Sequence, residues 1–417
     1  MQTLPDLCRT LATNARTAAE RLATANRAQK DRWLLTVADN LLARSAEILA
    51  ANAKDVAAAS DLPEAMRDRL TLTPARIRAA AEGLRQVAAL ADPVGQVREG
   101  SIRPNGLQVQ KISVPLGVIF FLYESRPNVT LDAGALCVKS GNAVILRGGK
   151  EAFHSNTILH QLLSEPLEAC GLPRDAIQLV PTLDRAAVGE LLQLSEYIDL
   201  AIPRGGPELI RRVVAEAKMP VLKHYLGVCH VYVDRAADLD MAERIVLNAK
   251  CQRPGVCNAM ESLLVHADLA TTFVARIGAS LQARGVEIRG CEITRTYLPY
   301  ARVATEVDYG AEFCALILSM KIVPNIESAV AHIRRYGSKH TDAIVTNELN
   351  TARQFVREVD SAAVLVNAST RFNDGFELGL GAEIGISTDK FHARGPCGLT
   401  ELTTYKYVVY GDGQVRE

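Results

Sequence analysis

The sequence predicts an α/β protein with two parallel-sheet domains and a small hairpin element, and three observations carry that expectation. From Val114 onward, short β-branched runs alternate with helical stretches of roughly ten to fifteen residues, the pattern of strands joined by crossover helices. The runs are GVIFFLY, NAVILR, IQLV and YIDLAI, then PVLKH, ESLLVH, AIVT and AAVLV. The first ninety residues show helical periodicity instead. The chain has 417 residues, room for two or three domains at roughly 100–200 residues each.

Taken in order, the alanine-, arginine- and leucine-rich opening reads as helices, with starts at Ser60-Asp61-Leu62-Pro63 and Thr73-Pro74, where proline follows a capping side chain. Ala91-Asp92-Pro93-Val94-Gly95 is a turn-rich link. After it, two strand-like runs flank Pro104-Asn105-Gly106, an Asn-Gly hairpin signal. The run that ends before Glu124 is the strongest strand in the chain. The stretch from Asn367 onward is dense in glycine and polar residues, and a long irregular segment of this kind is often a binding loop. No internal repeat or low-complexity segment is visible.

Lysine plus arginine total 47, as do aspartate plus glutamate, so no net positive field favours nucleic acid or an anionic membrane. A charged ligand must be caught by a local site. The longest apolar stretch, Val114 to Tyr123, contains a proline and a glycine and is roughly half the ~20 residues a spanning helix needs. Nine scattered cysteines with no CxxC pair fit reduced thiols in a cytosol-like compartment. Asp6 and Arg9 interrupt the N-terminus before any export signal could form. The expectation is a soluble, cytoplasmic protein with neither nucleic-acid nor membrane partners and no metal.

Cys257 sits in NAKCQRPGVCN (248–258), between an expected helix and the strand ESLLVH. Lys250 and Arg253 nearby would lower a thiol pKa and favour a thiolate nucleophile; the alternative is a small buried hydrophobe, and Cys251 competes on the same loop. Glu124-Ser125-Arg126-Pro127-Asn128 follows the strongest strand, at a carboxyl end where open α/β sheets bind ligands. Asn128 could donate to a developing oxyanion and Arg126 could hold an anion, or Asn128 could simply cap the next helix. Arg147-Gly148-Gly149-Lys150 and Pro203-Arg204-Gly205-Gly206 each follow a strand and precede a helix, so their backbone N–H groups could meet a phosphate, or each could be a plain turn. Gly379 to Gly385 imitates a dinucleotide fingerprint with one residue too many and no strand before it. His224, Cys229 and His230 invite a zinc site, but on an alternating segment 229 faces away from 224 and 230. Trp33 is expected to pack.

Collected in order, seven stretches resemble the γ-glutamyl phosphate reductase (glutamate-5-semialdehyde dehydrogenase) family of the aldehyde dehydrogenase superfamily. They are YESRPNVT (123–130), NAVILRGGKEA (142–152), IPRGG (202–206), GVCHVYVD (227–234), NAKCQRPGVCNAMESLLV (248–265), VNASTRF (366–372) and GLGAEIGISTDKFHARGP (379–396). The resemblance implies an aldehyde dehydrogenase-like fold of three parts. Residues 1–100 and 117–226 would form an NADP-binding domain, 227–397 a catalytic domain, and 101–116 with 398–417 an oligomerisation hairpin and tail. It further implies that Cys257 is the nucleophile and that Asn128, with the Cys257 backbone N–H, forms the oxyanion hole. Arg147, Gly148, Gly149, Lys150, Pro203, Arg204, Gly205, Gly206 and Glu312 would hold NADP(H), with Glu312 on the nicotinamide ribose. Arg126, Arg253, Ser369, Thr370, Arg371 and Arg394 would hold the substrate.

The implied reaction is NADPH-dependent reduction of L-glutamyl 5-phosphate to L-glutamate 5-semialdehyde and phosphate through a cysteine thioester, the second step of proline synthesis. A homo-oligomer and functional coupling to glutamate 5-kinase are implied partners. Arg147 and Lys150 stand where an acidic residue would otherwise bind a ribose 2′-hydroxyl, which favours NADPH over NADH. Hydrolytic members of the superfamily carry a glutamate base in a stretch that reads here Lys223-His224-Tyr225-Leu226-Gly227-Val228, with no carboxylate. A CoA-acylating dehydrogenase and a non-enzymatic binding protein are the competing readings.

Overall fold

Five helices open the chain, Leu4–Leu22, Arg27–Ala43, Ser45–Ala58, Glu64–Leu70 and Pro74–Ala89, in a computed structural model that describes residues 3–223 and 225–416. Their starts are written in the side chains. Asn26 and Gln29 form a reciprocal capping box at 3.0 Å, and the Thr73 hydroxyl accepts from the Arg76 N–H at 3.2 Å with Pro74 as first helical residue. The start expected at Ser60-Asp61 falls later. Pro63 itself takes the cap position of Glu64–Leu70, and Ser60 bonds to Asp61 instead of to the helix.

Helix Arg27–Ala43 is pinned by buried polar groups as well as apolar ones. Trp33 is fully buried and donates its indole N–H to the Leu163 carbonyl at 2.9 Å. Lys30 pairs with Asp92 at 2.8 Å. Lys139 pairs with Asp31 and also donates to the Ala88 carbonyl at 3.0 Å. Burying an ammonium is tolerable only with such partners, so these contacts fix this helix against Pro74–Ala89 and Asn128–Lys139.

The hairpin strands are β1 (Val97–Ile102) and β2 (Gln108–Pro115), antiparallel about Asn105-Gly106. The hairpin thus begins at Val97, ahead of the expected 101. Then come β3 (Val118–Tyr123), β4 (Ala143–Arg147), β5 (Ile177–Leu179) and β6 (Leu200–Arg204), a parallel sheet ordered β5-β4-β3-β6. Pro203, which has no N–H to give a ladder, lies on the edge strand β6. The run PVLKH is no strand: it contributes a single bridge, Val221 to Ala201, because Pro220 removes one donor and the run is short.

A second unit holds β7 (Cys229–Val233), β8 (Met260–His266), β9 (Glu287–Gly290), β10 (Arg302–Val303), β11 (Ile317–Val323), β12 (Thr341–Val345) and β13 (Ala363–Val366). They form a parallel sheet ordered β10-β9-β11-β8-β7-β12-β13. Alternation divides each central strand between two cores. Val231, Val233, Leu263, Val265, Ala343 and Val345 enter one cluster, while Tyr232, Leu264 and Ile344 enter the other. Helices cover both faces, as parallel sheets require.

Two three-residue strands, β14 (Gly385–Ser387) and β15 (Gly395–Cys397), pair with each other, and β16 (Thr403–Tyr410) adds to β2 to give the sheet β1-β2-β16. By contacts the chain divides into residues 1–223, 379–385 and 397–417 in one unit and 224–378 with 386–396 in the other, so the hairpin and tail belong to the first.

Trp33 is the only tryptophan, so its fluorescence reports the first unit alone. Trp33→Phe is expected to cost about 1 kcal/mol through the lost hydrogen bond, and Trp33→Ala roughly 3–5 kcal/mol, in denaturant unfolding followed by circular dichroism. An alanine variant with an unchanged midpoint would show that this helix is not held as described.

Candidate active site

In the first unit, strand order reverses beside β3: β4 and β5 lie on one side and β6 on the other. The crevice at the carboxyl ends of β3 and β6 is therefore a topological switch point, where doubly wound sheets take ligands. Glu124 leaves β3 there and reaches the turn after β6. Its carboxylate accepts from the Gly206 N–H at 2.8 Å, and a Cβ on Gly205 would fall 2.4 Å from that carboxylate's carbon. The N–H of Gly206, the cap residue of helix Pro207–Glu216, is thus committed to an internal anion. On the β4 side, Arg147 donates to the carbonyls of Gly148 and of Leu183, the latter at 3.1 Å, and its buried Nε meets no acceptor among the described residues. Burial pushes the guanidinium pKa down, while Tyr123, Glu151 and Asp184 oppose that. Lys150 is exposed at the start of the following turn.

Asn128 is the first residue of helix Asn128–Lys139 and does not cap it: Pro127 holds the cap position without a side-chain bond. Asn128 is exposed and donates one amide hydrogen to Asp132 at 3.1 Å, which leaves a second N–H to give. Asp132 keeps contact with water, yet crowding by protein lifts its carboxyl to about 6 against the pull of the Asn128 amide and the Arg204 charge. Arg126 is exposed one turn before the helix.

In the second unit, Cys257 is half-buried in the turn between helix Leu239–Cys251 and β8. Its main chain is gripped from behind. The Cys229 thiol approaches the Cys257 carbonyl oxygen at 3.1 Å, and a Cβ on Gly227 would lie 1.9 Å from the same oxygen, so no side chain fits there. The Gly227 N–H is given to Glu312, which also accepts from the Cys314 thiol; burial lifts the Glu312 pKa above its ordinary range. The residue expected to meet a nicotinamide ribose and the nucleophile are thus tied to one glycine.

The basic surroundings of Cys257 are not those expected. Lys250 is completely buried and pairs with Glu261 at 2.5 Å, which is itself buried and pushed up to about 7 by desolvation, so this ammonium is spent inside the core. The charges that reach the site are Arg371, which interacts electrostatically with both Cys257 and Arg253, and the exposed Arg253. Cys251 packs against the core, and burial raises its thiol pKa. Ser369 and Thr370 are buried beside Arg371; the Ser369 hydroxyl accepts from the Arg371 N–H at 3.3 Å. Arg394 is held elsewhere, doubly bonded to Asp360 at 2.7 Å in an ion pair shared with Lys390.

His224 lies outside the described residues. Cys229 faces His340 at 3.7 Å, while the His230 ring nitrogen Nδ1 donates to the Asp342 carboxylate at 2.8 Å, so the two part company as alternation requires. Among the described residues no three histidine, cysteine or acidic side chains could hold a metal ion. The segment 379–385 has no helix after it; Gly381 packs on Leu90 and Gly385 on Arg204. Reasoning from sequence weighed Cys229 only as a zinc ligand, read Glu124 only within the turn after β3, and gave no role to Asp132, Gly227 or Asn258. Of the last three, only Asp132 left a trace, four residues beyond Asn128 on the same helical face.

An aldehyde dehydrogenase family model matches residues 5–288. A gamma-glutamyl phosphate reductase of Moorella thermoacetica is 56% identical over 405 residues, covering 97% of each chain. One from Geobacter metallireducens is 53% identical over 417 residues, covering 100% of both. The crystal structure of gamma-glutamyl phosphate reductase from Thermotoga maritima superposes with a TM-score of 0.97 at 44% identity, covering 99% of this chain and 100% of that one. An acetylating aldehyde dehydrogenase of Geobacillus thermoglucosidasius, 15% identical with a TM-score of 0.71 over 99% and 98% of the two chains, shares the fold. The chain belongs to the aldehyde dehydrogenase family and, within it, to the gamma-glutamyl phosphate reductases.

Proposed function

We infer that this chain reduces L-glutamyl 5-phosphate to L-glutamate 5-semialdehyde and phosphate with NADPH, through a thioester on Cys257, as a step of proline synthesis. The observation that carries the reading is Cys257 itself: a half-buried cysteine on a turn held by its main chain, within electrostatic reach of Arg371. The names of the relatives agree with it.

The Cys257 thiolate attacks the acyl carbon, the C–S bond forms as the C–O bond to phosphate breaks, and the leaving phosphate takes the electron pair. Arg371 and Arg253 offset the charge of the departing anion. Asn128 we assign as an oxyanion donor on the strength of its spare amide hydrogen and the family resemblance. The nicotinamide, when bound, supplies a hydride to the thioester carbon; the C–S bond then breaks, Cys257 takes back its electron pair as thiolate, and the aldehyde leaves. Arg147, Gly148, Gly149 and Lys150 would hold its phosphates together with Arg204 and Gly205 at the switch point, and Glu312 its ribose, whereas the Gly206 N–H is already given to Glu124 and Pro203 has none, so these two shape the turn. A switch point is where doubly wound sheets take dinucleotides, which supports the reading, and Arg147 with Lys150 favours the 2′-phosphate. Among the substrate arginines, Arg371 and Arg253 carry the reading, with Ser369 and Thr370 behind them and Arg126 for a carboxylate; Arg394, already paired with Asp360, serves by bracing its loop.

Nine cysteines without a disulfide suit the cytoplasm, and the lability of an acyl phosphate suits functional coupling to glutamate 5-kinase. No helix among the described residues is long and apolar enough to cross a membrane. The sheet β1-β2-β16 leaves β1 exposed along its length and presents Tyr405, Tyr407 and Val409 on one face, a surface we assign to homo-oligomer contact.

Cys257→Ala is expected to abolish NADP reduction dependent on semialdehyde and phosphate, while Cys251→Ala keeps most of it; the reverse pattern, or turnover with acyl-CoA and none with acyl phosphate, overturns the assignment. In phosphate-free buffer, NADPH should form to no more than one equivalent per site, with turnover restored by phosphate, because no carboxylate stands at 223–228 to activate water. Replacing Arg147 and Lys150 by serine should raise the Michaelis constant for NADPH and spare NADH, and equal efficiency of the parent with both cofactors would refute the preference. Tyr407→Asp should shift sedimentation towards a smaller species. A parent already monomeric at micromolar concentration would end the oligomer reading.

A further inference from the structure

Asn258, the neighbour of Cys257, is 4% exposed and uses both ends of its amide. Its Nδ2 donates to the Asn373 carbonyl at 3.0 Å and lies 3.5 Å from the Arg371 carbonyl, while its Oδ1 accepts from Arg371 Nη1. Arg371 Nε donates to Gln252 Oε1 at 2.8 Å. Asn373 in turn donates to the Thr341 hydroxyl at 2.7 Å, so the clamp is anchored on β12. The guanidinium is thus held through two amide oxygens, and Asp374 and Glu377 act on it only through space. An aspartate at 258 could not donate to the carbonyls and would cancel the charge, and a serine could not span the three partners.

We propose that Asn258 is a positioning residue that holds Arg371 beside Cys257 as a cation left un-neutralised, so that an anionic acyl phosphate meets a positive field at the thiol. This deepens the reading of Cys257 as nucleophile and rests on it. A neutral amide achieves what a carboxylate could not: it fixes the fork of the guanidinium while leaving its charge for the ligand.

The test compares alkylation of Cys257 by iodoacetate and by iodoacetamide in the full chain, followed by mass spectrometry of the Cys257 peptide. Both reagents need the thiolate, so their rate ratio reports the local field and cancels any change in thiol pKa. Arg371→Gln is expected to lower the iodoacetate-to-iodoacetamide ratio roughly three- to tenfold. Asn258→Ser should lower it to the same degree, and should lower it no further in the Arg371→Gln background. Arg371→Lys, which keeps the charge but cannot take both amide oxygens, should also lose most of the preference; it carries the test if the Asn258 variant does not fold. In the reverse reaction, Asn258→Ser should raise the Michaelis constant for phosphate and leave that for NADP unchanged. A parental ratio in Asn258→Ser, or in Arg371→Lys, overturns the proposal, as does an Arg371→Gln ratio equal to the parent's or a Cys257 that neither reagent modifies. The expected ratios in a chain that cannot turn over glutamyl phosphate would sink the reductase reading and leave the clamp standing.

Discussion

A nucleophilic thiol must be free to react, so its position has to be set by something other than the thiol. In this protein that something is the main chain of residue 257. The Cys229 thiol and the alpha carbon of Gly227 close on its carbonyl from one side, and the neighbouring Asn258 is locked to the loop 371–373 from the other. Every further feature of the second unit's site follows from this grip. Gly227 carries Glu312 with it, and Asn258 carries Arg371. A side chain at 227 would push the turn away and uncouple all four at once.

The grip in turn depends on how a parallel sheet is buried. Helices cover both faces of the seven-stranded sheet, so its central strands are largely apolar, with a few paired polar residues such as His230 with Asp342, and the site's polar groups gather near the strand ends. Cys257 precedes β8, Gly227 precedes β7 and Thr341 opens β12, neighbours in the sheet order. Glu124 and Gly206 follow β3 and β6 in the first unit for the same reason.

Charge placement shows the same economy. Lys250 stands close to Cys257 in the chain yet is sealed with Glu261 in the core, where an unpaired ammonium would be intolerable. The cation that matters comes from 371, more than a hundred residues on, and is held by neutral oxygens. Arg394 looked equivalent and is not, because Asp360 already holds it. Distance along the chain says little about which arginine keeps a usable charge; the identity of its hydrogen-bond acceptor decides.

The sequence by itself determined the helical opening, the Asn-Gly hairpin, and seven of the eight runs listed as strands, because capping residues, turn residues and period-two alternation act over a few positions. It failed at PVLKH, where a proline outweighs β-branched neighbours, and of the second unit's strands left out of that list β7, read only as an alternating segment, and β9, β10 and β11, because strands this short, or next to a loop such as 310–316, carry too few residues for a period to show. Cys257 and Asn128 were legible as residues on loops at strand ends. That Glu124 reaches the helix start after β6 and that Asn258 clamps Arg371 were decided by tertiary structure alone. Each depends on which acceptor a donor meets across the fold, and a linear pattern does not record such meetings.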